Sequence, residues 1–421
     1  MERREFINLS MGISMATTLQ PLNELFNSVH KKIESHEEAK NFDVIVLGVG
    51  SMGSASCYQL AQRGHSVLGL EQFDIPHELG SHAGQSRIIR KAYAELPDYV
   101  PLLERAYQNW KTLEDQTGSQ VYFKTGLVYF GKSSQPTMKG VHESADKYKI
   151  LVNSLTSAEA SKKYPQFKLP DDYEKLEEPD AGFVTPERSI LLFTEQALKN
   201  GAIIRTKEKV IEWKRSGGNI SVKTDKGHYT CKKLVITAGP WAGKKIPGMA
   251  ANLKVTRQMI AWVKPRKWDD FILGRFPCWL LEDDKKPGSF YGFPVLPVGS
   301  FGGPVGMKLA HHYHGIPSDP DTINRIPTAE DESILVEMLN KFMPEGYAST
   351  LVMKTCMYTN TPDENFILDY LPGYDKDVVI ATGFSGHGYK FASVVGEIMA
   401  DLSMDGKTSL PIGFLNVQRF K

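Results

Sequence analysis

The chain has 421 residues, of which 41% are hydrophobic and 24% charged, and its formal net charge is +1. The composition is typical of a globular protein, and the length predicts two or three domains. The near-neutral charge provides no overall field to attract nucleic acid or an anionic membrane surface, and no stretch approaches the roughly eighteen apolar residues of a membrane-spanning helix.

The first 40 residues differ in character from the rest. Arg3 and Arg4 precede a weakly apolar run, which resembles a twin-arginine export signal. The charged stretch 27–41 is predicted to be a solvated linker, so the folded part should begin near Asn41. We therefore expect a periplasmic protein exported by this signal, with a cytoplasmic protein bearing an amphipathic or frayed tail as the alternative.

The clearest local pattern begins with the apolar run 44–47, which is typical of a buried parallel strand. Gly48, Gly50 and Gly53 follow in G-x-G-x-x-G spacing. In this pattern the glycines permit a tight turn, the close approach of a pyrophosphate and the packing of a helix on the strand. The pattern predicts a dinucleotide site.

The helix that follows these glycines supports the same prediction. Its first residues, Ser51 and Met52, should present free N–H groups and positive dipole charge to the phosphates. Glu71, 23 residues after Gly48, is placed to accept hydrogen bonds from a ribose and disfavours a 2′-phosphate. The motif does not distinguish FAD from NAD.

Two later segments are predicted to return to this site: the strand 234–236 with the small-residue turn 237–239, and a strand, glycine-rich turn and helix within 377–403. Between them strand-like and helical runs alternate. This predicts an α/β fold in which a Rossmann-like domain is interleaved with a mainly antiparallel-sheet domain.

The predicted division follows that alternation. The signal and linker take residues 1–40. The dinucleotide domain takes 41–95, 175–250 and 350–421, and the second domain takes 96–174 and 251–349.

The four cysteines are Cys57, Cys231, Cys278 and Cys356, and none forms a C-x-x-C pair. A metal knuckle or thioredoxin-like motif is therefore not expected. The run 310–314 holds three histidines, but no acid or thiol follows at ligand spacing, so we predict no metal.

Several long motifs occur together, from GVGSMG through SHAGQSRIIR, FYGFP, GMKL and KTCMYTNTPDENFILD to GFSGHGYKF. In this order they resemble the monomeric sarcosine oxidase and N-methyltryptophan oxidase family of FAD-dependent amine oxidases, from about Asn41 to the end of the chain. The resemblance implies a glutathione-reductase-type, D-amino-acid-oxidase-like fold. It also implies bound FAD, a small amino-acid substrate, O₂ as acceptor and a monomer.

The resemblance assigns cofactor contacts to one set of residues. Cys356 matches a cysteine that is joined to the flavin through a thioether, and positive neighbours would stabilise its thiolate. Arg87 is expected near the flavin. The remaining cofactor contacts implied by the motifs are Ser86, Gly386, Gly388 and Lys390.

A second set is expected to bind and turn over the substrate. Arg90 and Lys390 match two cations around the substrate carboxylate, and a guanidinium suits bidentate binding of a carboxylate. Lys308 matches a lysine that promotes the reaction with O₂. The other pocket residues that the motifs imply are Tyr291, His312, Tyr358 and His387, with Arg87, His387 and Tyr358 among the catalytic groups.

The function expected from the resemblance is oxidation of secondary (N-methyl) amino acids such as sarcosine or N-methyltryptophan, with release of hydrogen peroxide. Cyclic imino acids such as pipecolate and glycated amino acids are alternative substrates on the same scaffold. An NAD-dependent dehydrogenase and a binding or redox-sensing protein are alternatives of other classes. Ala83, where some relatives have a second histidine, and a longer loop before Lys308 leave the substrate side chain open.

Overall fold

Two large sheets and one small sheet form the framework of residues 19–33 and 40–420, which a computed structural model describes. The helices are α1 Leu22–Ile33, α2 Ser51–Gln62, α3 Val100–Thr117, α4 Pro136–Tyr148, α5 Ser157–Lys163, α6 Pro186–Lys199, α7 Ala242–Lys245, α8 Val298–Phe301, α9 Ala329–Phe342 and α10 Ala392–Ala400. The strands are β1 Asn41–Leu47, β2 Val67–Leu70, β3 Arg87–Ile89, β4 Tyr122–Phe123, β5 Leu127–Gly131, β6 Asn153–Ser154, β7 Glu174–Glu178, β8 Gly182–Val184, β9 Ile203–Arg205, β10 Val210–Ser216, β11 Asn219–Thr224, β12 His228–Ile236, β13 Lys254–Lys264, β14 Cys278–Leu281, β15 Ser289–Gly292, β16 Met307–His312, β17 Ile316–Pro317, β18 Ser349–Asn360, β19 Ile367–Tyr370 and β20 Val378–Thr382.

The first sheet has eight strands and carries the predicted dinucleotide motif. Strands β9, β2, β1, β12 and β20 run parallel, and the β10–β11 hairpin extends the sheet beside β12. In β1, Val44 and Val46 face the core under helices α2, α6 and α10, whereas Ile45 and Leu47 face the opposite core. Burial of both faces explains the continuous apolar run of this strand.

The glycine spacing after β1 has a steric cause. Gly48 has φ +92°, a conformation that favours glycine. A Cβ on Gly53 would lie 1.8 Å from the carbonyl oxygen of Gly48. Helix α2 can therefore pack on the end of β1 only when residue 53 lacks a side chain, as the motif predicts.

The second sheet has nine strands in the order β17–β13–β16–β15–β14–β5–β7–β6, with β18 on the other side of β13. All pairings are antiparallel except that of β14 with β5. Along β13, Gln258 lies opposite Cys356 on β18, and Trp262 lies opposite Lys308 on β16. The sheet thus brings together two motifs that are far apart in sequence. The small third sheet has the order β3–β8–β4.

The predicted mixture of a parallel sheet and a mainly antiparallel sheet agrees with these topologies. Three elements do not follow the predicted domain segments: β7 and β18 belong to the second sheet, and α3 packs with α10 beside the first sheet. Strand β18 continues a long pairing with β13, so the chain leaves the second sheet only after Asn360.

The expected solvated linker contains a docked helix instead. Helix α1 buries Leu25, Val29 and Ile33 against the core that includes α6. Their spacing of four residues places them on one helix face. His30 Nε2 also lies 2.9 Å from the carbonyl oxygen of Ile75. The charged composition of the segment concealed this apolar stripe.

The twin-arginine segment lies outside the described residues. No helix in residues 19–33 or 40–420 combines the length and the apolar character that a bilayer crossing requires.

Substitution Leu25→Ala tests the docking of α1. The Leu25 side chain is 1% exposed, so its truncation should lower the free energy of unfolding by about 2–5 kcal/mol. Asn27→Ala, at an exposed position of the same helix, should stay within about 0.5 kcal/mol of the parent protein. Urea unfolding followed by circular dichroism gives both values, and equal midpoints for the two variants would show that α1 does not stabilise the domain.

Candidate active site

A cavity of about 1030 Å³ lies where the two large sheets meet. The first sheet contributes the carboxyl ends of β1, β2, β12 and β20 and the turns that follow them. The second sheet contributes parts of β13, β15, β16 and β18. Ligands of open α/β sheets bind at the carboxyl ends of the strands, so the position of the cavity is that of a cofactor site.

One end of the cavity has the features of a dinucleotide cradle. Gly48, Gly50, Ser51 and Met52 line the wall, and no side chain caps the N-terminus of α2. The first N–H groups of this helix are therefore open to an anionic ligand. Gly53 lies behind the wall, where its role is the packing described above.

Glu71 ends the second strand of this cradle, at the predicted place. Its carboxylate accepts hydrogen bonds from the N–H groups of Val49 at 2.9 Å and Phe73 at 3.0 Å. Burial raises the pKa of Glu71 to about 7, although these N–H groups lower it in part. Ribose hydroxyls that donated to Glu71 would stabilise its ionised form.

Two segments return to the cradle, as the sequence predicts. Thr237, after β12, donates from its backbone N–H to the carbonyl of Leu47 at 2.9 Å and from its hydroxyl to that of Gly48 at 2.7 Å. Thr382 ends β20, and Thr359 lies on β18. The Oγ1 atoms of Thr359 and Thr382 are buried in the cavity wall without a hydrogen-bond partner among the described residues. Unpaired buried hydroxyls are rare, and both of these belong to residues that line the cavity.

Cys356 is a free thiol, 5% exposed, in the cavity wall. Its sulfur lies 3.7 Å from the carbonyl oxygen of Ser81. The three other cysteines lie outside the wall, and burial raises the pKa of each thiol; these are Cys57, Cys231 and Cys278.

Arg87 lines the cavity, and its guanidinium and the Cys356 sulfur both contact the carbonyl oxygen of Ser81. Its guanidinium donates to the carbonyls of Ser81, Ala83 and Ser86 at 3.1, 2.7 and 2.9 Å. Burial lowers the pKa of Arg87, but Cys356 and other neighbours raise it overall. The guanidinium is thus a fixed positive charge next to the thiol, as the expected flavin linkage requires.

Lys308 lies outside the cavity wall, unlike most of the predicted site residues. Its ammonium group donates to the carbonyls of Gly84 at 2.6 Å and Ser86 at 2.5 Å, and lies 3.3 Å from the Ser86 hydroxyl. It also lies 4.5 Å from the centre of the Phe293 ring. Neither Lys308 nor Ser86 is in the cavity wall, so the lysine contacts the backbone of residues 84–86 and not the cavity itself.

The charge state of Lys308 reflects two opposing effects. Burial lowers its pKa well below the usual range. The contacting oxygens match the three protons of an ammonium group, which favours the charged form.

Three expected pocket residues form one group on the second sheet. Tyr291, His312 and Tyr358 all line the cavity. His312 Nδ1 lies 3.1 Å from the Tyr358 hydroxyl, and burial lowers the pKa of His312 to about 4. The imidazole is therefore neutral near pH 7.

The predicted carboxylate-binding cations lie together at the other end of the cavity. Arg90 Nη2 lies 2.7 Å from each carboxylate oxygen of Glu95, and Lys390 Nζ donates to the His387 carbonyl at 2.7 Å. Arg90 Nη1 is buried without a hydrogen-bond partner in the described chain. Arg90 therefore has one free donor edge, which can bind a further acceptor.

Electrostatics at this end favour one more negative charge. Burial alone would raise the pKa of Glu95, but Arg90, followed by His387 and Lys390, lowers it to about 2. Burial lowers the pKa of Lys390 to about 7, with Glu95 opposing and Arg90 adding to the effect. A second carboxylate between Arg90 and Lys390 would restore the charged form of the lysine.

His387 lines the cavity but has no free ring nitrogen. Its Nε2 lies 3.0 Å from the carbonyl oxygen of Glu364, and its Nδ1 contacts the hydroxyl of Tyr93. The turn that carries it contributes Gly386, Gly388 and Lys390 to the same wall. Neither ring nitrogen of His387 is free to exchange a proton with a ligand, which does not favour the expected catalytic role. That role stays a prediction.

Within the described chain, no group of three or more histidine, cysteine or acidic side chains is arranged to hold a metal ion. A dinucleotide cradle that opens into a pocket with two cations is typical of an enzyme that uses a dinucleotide cofactor, and oxidoreductases are the main class of such enzymes.

Comparisons with known proteins agree with this class. The family model described as FAD dependent oxidoreductase matches residues 43–402. The chain is 38% identical over 386 residues to a protein named monomeric sarcosine oxidase from Bacillus sp. (strain B-0618), covering 90% of this chain and 96% of that protein. It is 32% identical over 389 residues to a protein named N-methyl-L-tryptophan oxidase from Yersinia pestis (strain Pestoides F), covering 90% of this chain and 100% of that protein.

The fold has solved counterparts as well. The structure of NikD, described as an unusual amino acid oxidase essential for nikkomycin biosynthesis, superposes with a TM-score of 0.79 at 25% identity, covering 90% of this chain and 98% of that chain. The chain belongs to the FAD-dependent oxidoreductase family. The family assignment and the amine-oxidase resemblance expected from the sequence motifs are confirmed.

Four residues of the site escaped the sequence reasoning: Tyr93, Glu95, Thr359 and Thr382. Both threonines lie beside residues of recognised motifs, but nothing in their spacing shows that their hydroxyls lack partners. Glu95 follows Arg90 by five residues in a loop, where no periodic pattern predicts contact.

Substitution Thr382→Val tests the fit of FAD to the unpaired hydroxyls. In a Cys356→Ser background, where the cofactor cannot be held through that sulfur, it should weaken FAD binding about 2- to 10-fold through loss of a hydrogen bond. Thr194→Val is the matched control, because the Thr194 hydroxyl already bonds the Ile190 carbonyl within α6. Fluorescence titration of the apoproteins with FAD measures both, and equal affinities would remove Thr382 from the cofactor site.

Proposed function

We propose that this protein is an FAD-dependent oxidase of secondary (N-methyl) amino acids such as sarcosine or N-methyltryptophan. Arg90 Nη1, buried and unpartnered beside Lys390, carries the proposal. A buried guanidinium edge without an acceptor is costly unless a ligand supplies one. An amino acid fits both requirements: its carboxylate would accept from this guanidinium edge, and its amine is the group that an FAD-dependent oxidase of this family would oxidise.

The substrate carboxylate competes with Glu95 for Arg90. The Glu95 side chain is 28% exposed, whereas that of Arg90 is 6% exposed. Glu95 lines the cavity, and in this proposal it rotates away from Arg90 when the substrate carboxylate enters, while Arg90 stays in place. Exchange of one carboxylate for another keeps the guanidinium paired, and Lys390 adds a second charge-assisted contact to the substrate.

The site residues divide the remaining tasks. Bound FAD supplies the redox chemistry, taking a hydride equivalent from the carbon beside the substrate nitrogen and passing the electrons to O₂. The free N–H groups of α2, Glu71 and the hydroxyls of Thr359 and Thr382 would hold it. Neutral His312 and the hydroxyl of Tyr358 line the pocket where the amine would be oriented.

Arg87 would act on the covalent attachment of the flavin, and Lys308 would act on the reaction of the reduced flavin with O₂. We propose that Cys356 would hold the flavin through a thioether: its S–H bond and one C–H bond of a ring methyl group would break, an S–C bond would form, and the two electrons would reduce the flavin and pass on to O₂. The Arg87 guanidinium contacts the same Ser81 carbonyl oxygen as the Cys356 sulfur and would favour the reacting thiolate. Reduction of O₂ begins with formation of an anion, and the ammonium group of Lys308 would stabilise that charge through the low-dielectric layer of residues 84–86. The products would be hydrogen peroxide and an imine, which water hydrolyses to an amine and an aldehyde.

Membership of the FAD-dependent family disfavours the NAD-dependent dehydrogenase. Pipecolate and glycated amino acids stay alternative substrates, because they carry the same carboxylate and a secondary amine. We propose a monomer, as the name of the Bacillus relative states for that protein. Export stays a prediction based on Arg3 and Arg4, and α1 would then be the first element of the exported domain.

Anaerobic mixing of the holoprotein with N-methylglycine, N-methyltryptophan, pipecolate and fructosyl-glycine identifies the substrate. The proposal predicts that at least one N-methyl amino acid bleaches the visible flavin absorption and that air restores it with release of peroxide. A flavoprotein that no amine bleaches would instead be a binding or sensing protein.

Two variants locate the carboxylate in the same assay. Arg90→Lys should raise the substrate concentration for half-maximal bleaching by about 10- to 100-fold, because a bidentate pair is lost. Glu95→Gln should lower it, because the competing anion is removed. Arg105→Lys is the control, since Arg105 pairs with Glu397 outside the cavity wall.

Acid precipitation tests the covalent link. Yellow colour should stay in the pellet of the parent protein and move to the supernatant in Cys356→Ser. Cys278→Ser should behave like the parent, because Cys278 is buried outside the cavity wall and its sulfur already accepts from the Thr125 hydroxyl at 3.3 Å. Colour in the parent supernatant would mean that FAD is bound without this bond.

A further inference from the structure

Tyr93 lies between the two cations of the carboxylate pocket. Its side chain is fully buried. The guanidinium carbon of Arg90 lies 5.1 Å from the centre of its ring, and Lys390 Nζ lies 5.2 Å from the same centre. An aromatic ring attracts cations through its quadrupole, so one ring stabilises both charges where burial would otherwise oppose them.

The hydroxyl of Tyr93 has a separate partner. It contacts His387 Nδ1, while His387 Nε2 lies 3.0 Å from the carbonyl oxygen of Glu364. A carbonyl oxygen can only accept, so Nε2 carries the proton and Nδ1 accepts from Tyr93. Both ring nitrogens are thus occupied, and the His387 carbonyl in turn accepts from Lys390 Nζ at 2.7 Å.

The surroundings keep this arrangement in one protonation state. Burial lowers the pKa of His387 to about 4, with Lys390 adding to the effect and Glu95 opposing it. Burial raises the pKa of Tyr93 well above its usual value. The phenol therefore stays a donor and the imidazole a neutral acceptor across the pH range in which the protein would work.

We infer that Tyr93 is a positioning residue for the proposed amine oxidation: its ring holds Arg90 and Lys390 at the substrate carboxylate, and its hydroxyl anchors the His387 turn that carries Lys390. This inference rests on the proposed function and assigns a specific cause to the preference for acids. Tyr93 acts through the cations and through His387.

Binding of two nearly isosteric ligands tests the inference. The first is (methylthio)acetate, in which sulfur replaces the nitrogen of N-methylglycine, and the second is its neutral primary amide. Isothermal titration calorimetry of the holoprotein gives the ratio of their dissociation constants. General damage to the pocket weakens both ligands, whereas misplacement of the cations weakens only the acid.

Tyr93→Leu should reduce the preference for the acid at least about tenfold, because both cation–ring contacts are lost. Tyr93→Phe keeps the ring and loses the hydroxyl, so it should reduce the preference only about threefold. Tyr93→Met, unbranched and without a ring, should behave as Tyr93→Leu does and replaces it if that variant does not fold. Tyr58→Leu is the matched control, since the buried Tyr58 ring packs on Phe193, its hydroxyl donates to Gln116, and it lies outside the cavity wall.

The outcomes separate the inference from the proposed function. A parent protein that binds acid and amide equally well would contradict the proposed carboxylate pocket itself. A parent that prefers the acid, with Leu and Met variants within twofold of it, would overturn the role of Tyr93 alone. A Phe variant that loses as much as the Leu variant would overturn the role of the ring.

Discussion

The central electrostatic feature of the structure is a buried pocket in which two basic side chains lie close to a single carboxylate. Arg90 and Lys390 lie against the same Tyr93 ring, Glu95 pairs with Arg90, and Arg90 keeps an unpartnered donor edge. Charges in a low-dielectric site interact strongly and are expensive to leave unpaired. We propose that an acidic ligand stabilises this pocket, which would couple the fold to the class of ligand.

The topology places this pocket next to the redox cofactor. Strand β20 ends at Thr382 in the cradle, and the turn after it reaches Lys390 within a few residues. Strand β18 brings Cys356 from the second sheet to the same cavity. In the proposed function, a carboxylate held by Lys390 would fix the distance between the rest of the substrate and the cofactor. Such positioning is the main contribution of a protein to cofactor chemistry.

Local patterns predicted the cradle because its causes are local. The strand before Gly48 is apolar on both faces, and Gly53 is required by a contact within the same unit. Most of the site residues that the long motifs predicted do line the cavity, including Cys356 and Lys390. These residues lie on strand ends and turns whose positions follow from the fold.

What the sequence did not predict arises from tertiary contacts. Charged neighbours hid the apolar stripe of α1, whose burial depends on α6. Nothing in the spacing of Arg90 and Glu95 shows that they pair, and Tyr93 has no partner that is recognisable in sequence. Lys308 has the predicted neighbourhood but faces the backbone of residues 84–86, because its side chain finds its oxygen acceptors there.

A crystal structure of the holoprotein soaked with (methylthio)acetate tests the central claim most directly. The pocket described here predicts the ligand carboxylate within about 3 Å of Arg90 Nη1 and Lys390 Nζ, with the Glu95 side chain moved towards solvent. A carboxylate bound elsewhere in the cavity, with the Arg90–Glu95 pair intact, would contradict it.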